Sequence, residues 1–148
     1  MDAPLEDVIV VIEDDPDDRH LLARAFRKLG SSVPLRFACD GDEAVTLLSE
    51  VTSSGVQRMR PVVILLDLKL PRRSGLEVLA WIKEQPRLRR IPVVILTSSR
   101  DQSDLKNAYD LGANSFLVKP SRPQLLHNLI EQVNAYWIDQ NELAPIAP

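Results

Sequence analysis

The chain has 148 residues, 45% hydrophobic and 26% charged, which suits one globular domain with one core. Its 18 Lys and Arg against 21 Asp and Glu give a net charge of −3, so no global attraction to nucleic acid or anionic membrane is expected. Apolar runs fall short of the roughly 20 residues of a membrane helix, the acidic start Met1-Asp2-Ala3-Pro4-Leu5-Glu6-Asp7 is unlike a secretory leader, and the single cysteine, Cys39, excludes an internal disulfide and disfavours a cysteine-based zinc site. A cytoplasmic protein is the expectation.

Val8–Ile12 is continuous and β-branched, as a strand buried on both faces would be. Asp15-Pro16-Asp17-Asp18 reads as a helix start, with Asp15 as cap, Pro16 in the first helical position and the acids at the positive end of the dipole. The helix carries an apolar stripe at Leu22, Ala25, Phe26 and Leu29 and stops at Gly30. Leu35–Cys39 is a second strand. A helix from about Asp42 to Val51 has its stripe at Ala44, Leu47, Leu48 and Val51, and Thr52–Pro61 reads as a long polar loop. Val62–Leu66 is the third strand. Ser74 to Glu77 fits a capping box opening a helix to about Glu84.

Pro92–Leu96 is the fourth strand, Asp104–Leu111 a helix stopped by Gly112, and Ser115–Val118 the fifth strand. Ser121-Arg122-Pro123-Gln124 fits a second capping box. It opens a last helix with a stripe at Leu126, Leu129, Ile130, Val133 and Trp137, and Asn141–Pro148 reads as a loose tail. Five strands alternating with five helices predict one doubly wound (βα)5 parallel sheet, in which the site lies at the carboxyl ends of the strands. The expected division is an N-terminal tail over residues 1–6, a domain over 7–138 and a C-terminal extension over 139–148.

That rule gathers three strand ends into one place. They carry Glu13-Asp14-Asp15, Asp67 and Lys119-Pro120. Residues 13–18 hold five acids in six positions, and helix capping and dipole account for Asp15, Asp17 and Asp18. They do not account for Glu13 and Asp14, whose adjacent carboxylates repel unless a cation sits with them. A metal role is expected for Asp14, with Glu13 acting through water, and Mg²⁺ suits one or two carboxylates plus phosphate oxygens. Asp67 follows five apolar residues, and Ser74 already caps the next helix, which leaves Asp67 for chemistry as a nucleophile on phosphorus. Thr97 offers a hydroxyl, and Lys119 offers a point charge for a phosphate. Pro120 raises the prospect of a cis peptide aiming the lysine inward.

The ordered set Glu13-Asp14, Asp67, Thr97 and Lys119-Pro120 resembles the receiver domains of two-component response regulators, over about residues 7 to 137. Leu70-Pro71 and Gly75 match that family's turn after the phosphoacceptor. The resemblance implies the flavodoxin-like strand order 2-1-3-4-5, Asp67 as phosphoacceptor and Asp14 as principal Mg²⁺ ligand, with Glu13 assisting. It also implies the backbone carbonyl of Lys69 as a further ligand, Thr97 and Phe116 as a switch pair, and Lys119 as the group that senses the phosphate. Phe116 stands where tyrosine is common, so the switch side chain lacks a hydroxyl. Lys69 and Ser99 occupy positions that tune dephosphorylation in the family.

About eleven residues follow Trp137, so no DNA-binding domain is expected and the output is a protein contact. The loop Thr52–Pro61, the stretch Ala108–Leu117 and Tyr136-Trp137 look like the small regulators paired with bacterial phytochromes. That likeness implies a phytochrome histidine kinase as partner. It also implies a homodimer through the fourth helix, fifth strand and fifth helix, with Tyr136, Trp137 and Ile138 as contacts. The alternatives are a receiver serving another kinase, a phosphate sink, or an unphosphorylated binding module. An aspartate-nucleophile phosphatase of the haloacid dehalogenase type is disfavoured, because Lys69 stands where that class needs a second Asp. Any enzymatic activity is expected to be confined to Mg²⁺-dependent self-phosphorylation and self-dephosphorylation. His20, His127 and the cluster Arg87-Leu88-Arg89-Arg90 read as exposed helix and loop residues.

Overall fold

The computed structural model describes residues 5–52 and 58–145. Strands and helices alternate as β1 (Leu5–Ile12), α1 (Pro16–Lys28), β2 (Leu35–Ala38), α2 (Gly41–Thr52), β3 (Arg58–Leu66), α3 (Gly75–Glu84), β4 (Val93–Thr97), α4 (Gln102–Asp110), β5 (Ser115–Val118) and α5 (Pro123–Val133). A π-helical turn, Asn134–Ile138, continues α5. The strands form one parallel sheet in the order β2-β1-β3-β4-β5.

Successive residues of the central strands feed two separate cores, as the two-residue period of a strand requires. Val8, Val10, Ile12, Ile64, Leu66, Val93 and Ile95 face α2 and α3. Ile9, Val11, Val63, Leu65, Val94 and Leu96 face α1 and α5. The helical stripes meet them: Leu22, Ala25 and Phe26 of α1, Leu48 of α2, Ile82 of α3 and Ile130 of α5 are all buried.

Two strands are longer than their sequences suggest. β1 starts at Leu5, and β3 starts at Arg58 inside the predicted loop, whose residues 53–57 lie outside the described ones. Charge hides this start, because Met59 is buried while Arg60 pairs with Asp7 across the strands at 2.7 Å. Pro61 fits within β3 because pairing with β4 begins only at Ile64, and the register with β1 shifts between Val8 and Ile9 at that point.

Helix starts follow their caps. The Asp17 N–H donates to the Asp15 side chain at 2.9 Å, and the Glu77 N–H donates to Ser74 Oγ at 3.2 Å. The second capping box does not form. Pro123 takes the first helical position of α5, which makes Arg122 the cap residue without a side-chain bond and leaves Ser121 one residue too early. α4 begins at Gln102, two residues before the predicted start, because Asp101 caps it. The C-terminal segment is packed rather than loose as far as Pro145: Trp137, Ile138 and Leu143 lie against the α1–α5 core, and Arg90 Nη1 donates to the Pro145 carbonyl at 3.4 Å.

Candidate functional site: an acidic cleft at the strand ends

The parallel sheet delivers Glu13, Asp67, Thr97 and Lys119 to one edge, because each ends or directly follows a neighbouring strand. Carboxylate oxygens of Glu13, Asp14 and Asp67 lie within 4.8 Å of one another. Glu13 is 2% exposed, Asp67 6% and Thr97 fully buried, whereas Asp14 is open to solvent.

Asp67 is held from three sides. Thr97 Oγ1 donates to its Oδ1 at 2.7 Å, the Lys69 N–H donates to the same oxygen at 3.2 Å, and Lys119 Nζ donates to Oδ2 at 3.1 Å. The turn behind it needs a glycine, because a Cβ on Gly75 would strike the Asp67 carbonyl and Leu68 Cα. In the same turn Arg72 adopts φ 71°, a left-handed conformation that is uncommon for a residue with a side chain.

Lys119 reaches the cleft through a trans peptide, for no cis bond occurs among the described residues. Its N–H donates to the Thr97 carbonyl at 2.8 Å, which fixes the end of β5 against β4 and aims the side chain at the site. The ammonium donates to Glu13 Oε1 at 2.5 Å and to Asp18 Oδ2 at 2.7 Å as well as to Asp67. Burial alone would lower the lysine's pKa, but the hydrogen bonds it donates to Asp18 and Glu13 and the charge of Asp67 outweigh it, and the net shift is upward. Lys119 therefore stays protonated. Glu13 is also pushed upward, from the ordinary carboxylate range to about 7. Burial is the main cause, the Lys119 hydrogen bond opposes it, and the charge of Asp67 adds to it.

Two members of the site are not legible as such in the sequence. Asp18 is accounted for there by the helix dipole, yet its carboxylate turns into the cleft. Arg19 donates from Nη1 to the carbonyls of Glu13 and Asp14, at 2.9 and 2.7 Å, and so pins the turn that presents both acids. The available signal is the helix start itself: Asp15 and Pro16 fix it, which places residues 18 and 19 one turn above the strand end.

The donor set fits a divalent cation. It consists of oxygen acceptors, its carboxylates outnumber the one ammonium, and Glu13 is pushed toward protonation by burial, with the neighbouring charge of Asp67 adding to it. Phe116 sits on the same sheet edge, paired in register with Ile95 while Thr97 pairs with Val118, and packs partly buried against the α2–α3 core. Tyr136, Trp137 and Ile138 do not join the site. Trp137 and Ile138 line a surface cleft with Asp7, Arg60 and Val62 at the amino-terminal part of the sheet, and Tyr136 is 56% exposed with its ring edge on Trp137. His20 is exposed and His127 half-buried.

A five-stranded 2-1-3-4-5 sheet with acids, a threonine and a lysine at its carboxyl edge defines a phosphoryl-signalling domain of the receiver class. The sequence profile of the response regulator receiver domain matches residues 9–131, and the chain belongs to that family, which serves two-component signalling rather than metabolic catalysis. It is 39% identical over 134 residues to the probable methanogenesis regulatory protein FilR2 of Methanothrix harundinacea, covering 90% of this chain and 85% of that one. It is 34% identical over 132 residues to the response regulator Rcp1 of Synechocystis sp., covering 89% of each. A crystal structure of the Mn(2+)-bound form of Rcp1 superposes with a TM-score of 0.81 at 32% identity, over 93% of this chain and 99% of that one. The phosphorylated cyanobacterial phytochrome response regulator RcpA superposes with a TM-score of 0.84 at 32% identity, over 96% and 100%.

Proposed function

We propose that this receiver accepts a phosphoryl group on Asp67 from a sensor histidine kinase and passes the signal on by protein contact. The observation that carries the reading is the Asp67 carboxylate, nearly buried, hydrogen-bonded to Thr97 and Lys119 and flanked by Glu13 and Asp14 within 4.8 Å. An Asp67 oxygen bonds to phosphorus as the bond from phosphorus to the donor's histidine nitrogen breaks, and that nitrogen keeps the electron pair. Asp14 and Asp67, with the Lys69 carbonyl and Glu13 through water, would hold Mg²⁺, which supplies positive charge to the phosphoryl oxygens when bound. Lys119 supplies a second positive charge, and Thr97 turns its hydroxyl from Asp67 to a phosphoryl oxygen. Phe116 fills the space that Thr97 leaves, which shifts the balance between two packings of the α4–β5 face.

The similarity to RcpA, a phytochrome response regulator, supports a bacterial phytochrome as the kinase; the alternative is a receiver serving another kinase. A homodimer through α4, β5 and α5 follows the same reading as the phytochrome partner. Tyr136 is then the exposed contact, and Trp137 and Ile138 are the supports that seat it. A cytoplasmic site of action, with neither nucleic acid nor membrane as partner, belongs to the same reading; among the described residues no helix is long and apolar enough to cross a membrane. Self-phosphorylation from a small acyl phosphate, and self-dephosphorylation, are the only chemistry assigned to the chain alone.

The test is incubation with Mg²⁺ and acetyl phosphate, read by mass spectrometry of the intact protein. Wild type should gain one phosphoryl group and lose it again once the donor is removed with Mg²⁺ still present, and Asp67→Asn should gain none. Equal labelling of the two sinks the assignment.

A further inference from the structure

Lys119 carries one more carboxylate than the phosphoryl reaction calls for. An ammonium has three N–H donors, and in this cleft all three are engaged, by Glu13, Asp18 and Asp67. Glu13 and Asp67 come from the strand ends, where the metal and the phosphoryl group would be. Asp18 instead reaches in from the first turn of α1, at 2.7 Å, closer to the ammonium than the 3.1 Å of Asp67. Asp18 has no need of Lys119 to serve its helix, since an acid in the first turn favours the dipole while facing water, as its exposed neighbour Asp17 does. A phosphoryl oxygen arriving on Asp67 requires a donor from Lys119, and none is free until one carboxylate lets go.

We propose that Asp18 is a positioning residue that holds Lys119 toward α1 in the unphosphorylated protein and so slows acceptance of the phosphoryl group. The inference rests on the reading of Asp67 as acceptor. Two effects carry the same sign. Asp18 competes for the ammonium that the phosphoryl oxygen needs, and its negative charge at the mouth of the cleft repels the anionic donor. Asn at this position keeps the shape and a carbonyl acceptor but removes the charge.

The experiment compares full-length wild type, Asp18→Asn, Asp18→Glu and Asp67→Asn, labelled with acetyl phosphate at fixed Mg²⁺ in low and high salt. Asp18→Asn should label roughly three- to tenfold faster than wild type at low salt, the size of one unscreened charge near a partly buried site. The gain should shrink at high salt, where a partly exposed charge is screened, and Asp18→Glu should return the rate to near that of wild type. A purely structural role for Asp18 would lower thermal stability without a salt-dependent gain in rate. An Asp18→Asn rate equal to or below wild type, or a gain that is the same in both salts, overturns the inference while a labelled wild type and an unlabelled Asp67→Asn leave the acceptor reading standing. Labelling that survives Asp67→Asn, or is absent from wild type, overturns both.

Discussion

Helices α3 and α4 flank neighbouring parts of one sheet and are held very differently. α3 buries Gly75, Val78, Leu79 and Ile82, and its last-turn Lys83 donates to the carbonyls of Arg89 and Ile91 and to Asn114 Oδ1. α4 buries Ala108 alone of its nine residues, while Tyr109 is 50% exposed, as is much of Leu111 just beyond the helix. The strand beneath it, β5, is half-buried throughout. A helix with few buried apolar contacts is the one that a small change of charge can move. The lesson is one of placement: Asp67 is built on the firmly packed β3–α3 side, and Thr97, at the end of the fully buried β4, connects it to the loosely packed α4–β5 side.

The largest effect should fall on the anchored helix. Ile82→Ala removes a fully buried side chain from the α2–α3 core and should cost about 2–5 kcal/mol. Tyr109→Ala on α4 should cost under about 0.5 kcal/mol. Urea denaturation followed by circular dichroism measures both, and comparable losses would erase the contrast.

Thr97→Ala tests the connection itself. It leaves the buried Asp67 one donor short, which should cost about 1–3 kcal/mol. Phosphate acceptance should persist, because Asp67, Asp14 and Lys119 remain, but phosphate-dependent self-association should be lost. Gel filtration before and after labelling reads the outcome, and unchanged association would show that the signal reaches α4 without Thr97.

The contrast between the helices explains what the sequence makes legible. The alternation of strands and helices, and the gathering of Glu13, Asp14, Asp67, Thr97 and Lys119, follow from local patterns that the parallel sheet turns into one edge. Three features do not, because each depends on a partner distant in the chain. Arg58–Arg60 looks like loop until Asp7 is known to lie beside Arg60. Leu143 looks like tail until the α1–α5 core is there to receive it. Asp18 looks like a helix-dipole acid until Lys119, about a hundred residues later, is placed against it.

The buried acid gives a pH test on the firm side. Below 4.5, the ordinary value for Glu13, the residue is protonated whether the chain is folded or unfolded. Between 4.5 and about 7 the unfolded chain has lost a proton that the folded chain retains, so this contribution to stability falls as pH rises. Metal-free protein should therefore lose stability to global unfolding across that window. Affinity for Mg²⁺ should rise across it, as the carboxylate becomes free. Glu13→Gln should flatten both trends. Calorimetric melts and metal titration at several pH values check this, and stability that rose from pH 5 to 7 specifically through Glu13 would reverse the assignment.

The most local effect concerns a tie at the start of α4. Ser99 is nearly buried, and its Oγ donates to Asp104 Oδ2 at 2.6 Å while accepting the Asp101 N–H at 3.3 Å. It thus joins the loop after Thr97 to the first turn of α4. Ser99→Ala should cost about 0.5–1.5 kcal/mol, and the loss should be local. Amide exchange should quicken across Gln102–Asp110 and stay unchanged in Gly75–Glu84, because the hydroxyl touches α4 and not α3. Faster exchange in both helices would mean that α4 opens only with the whole domain, and the firm and loose sides would then be one cooperative unit.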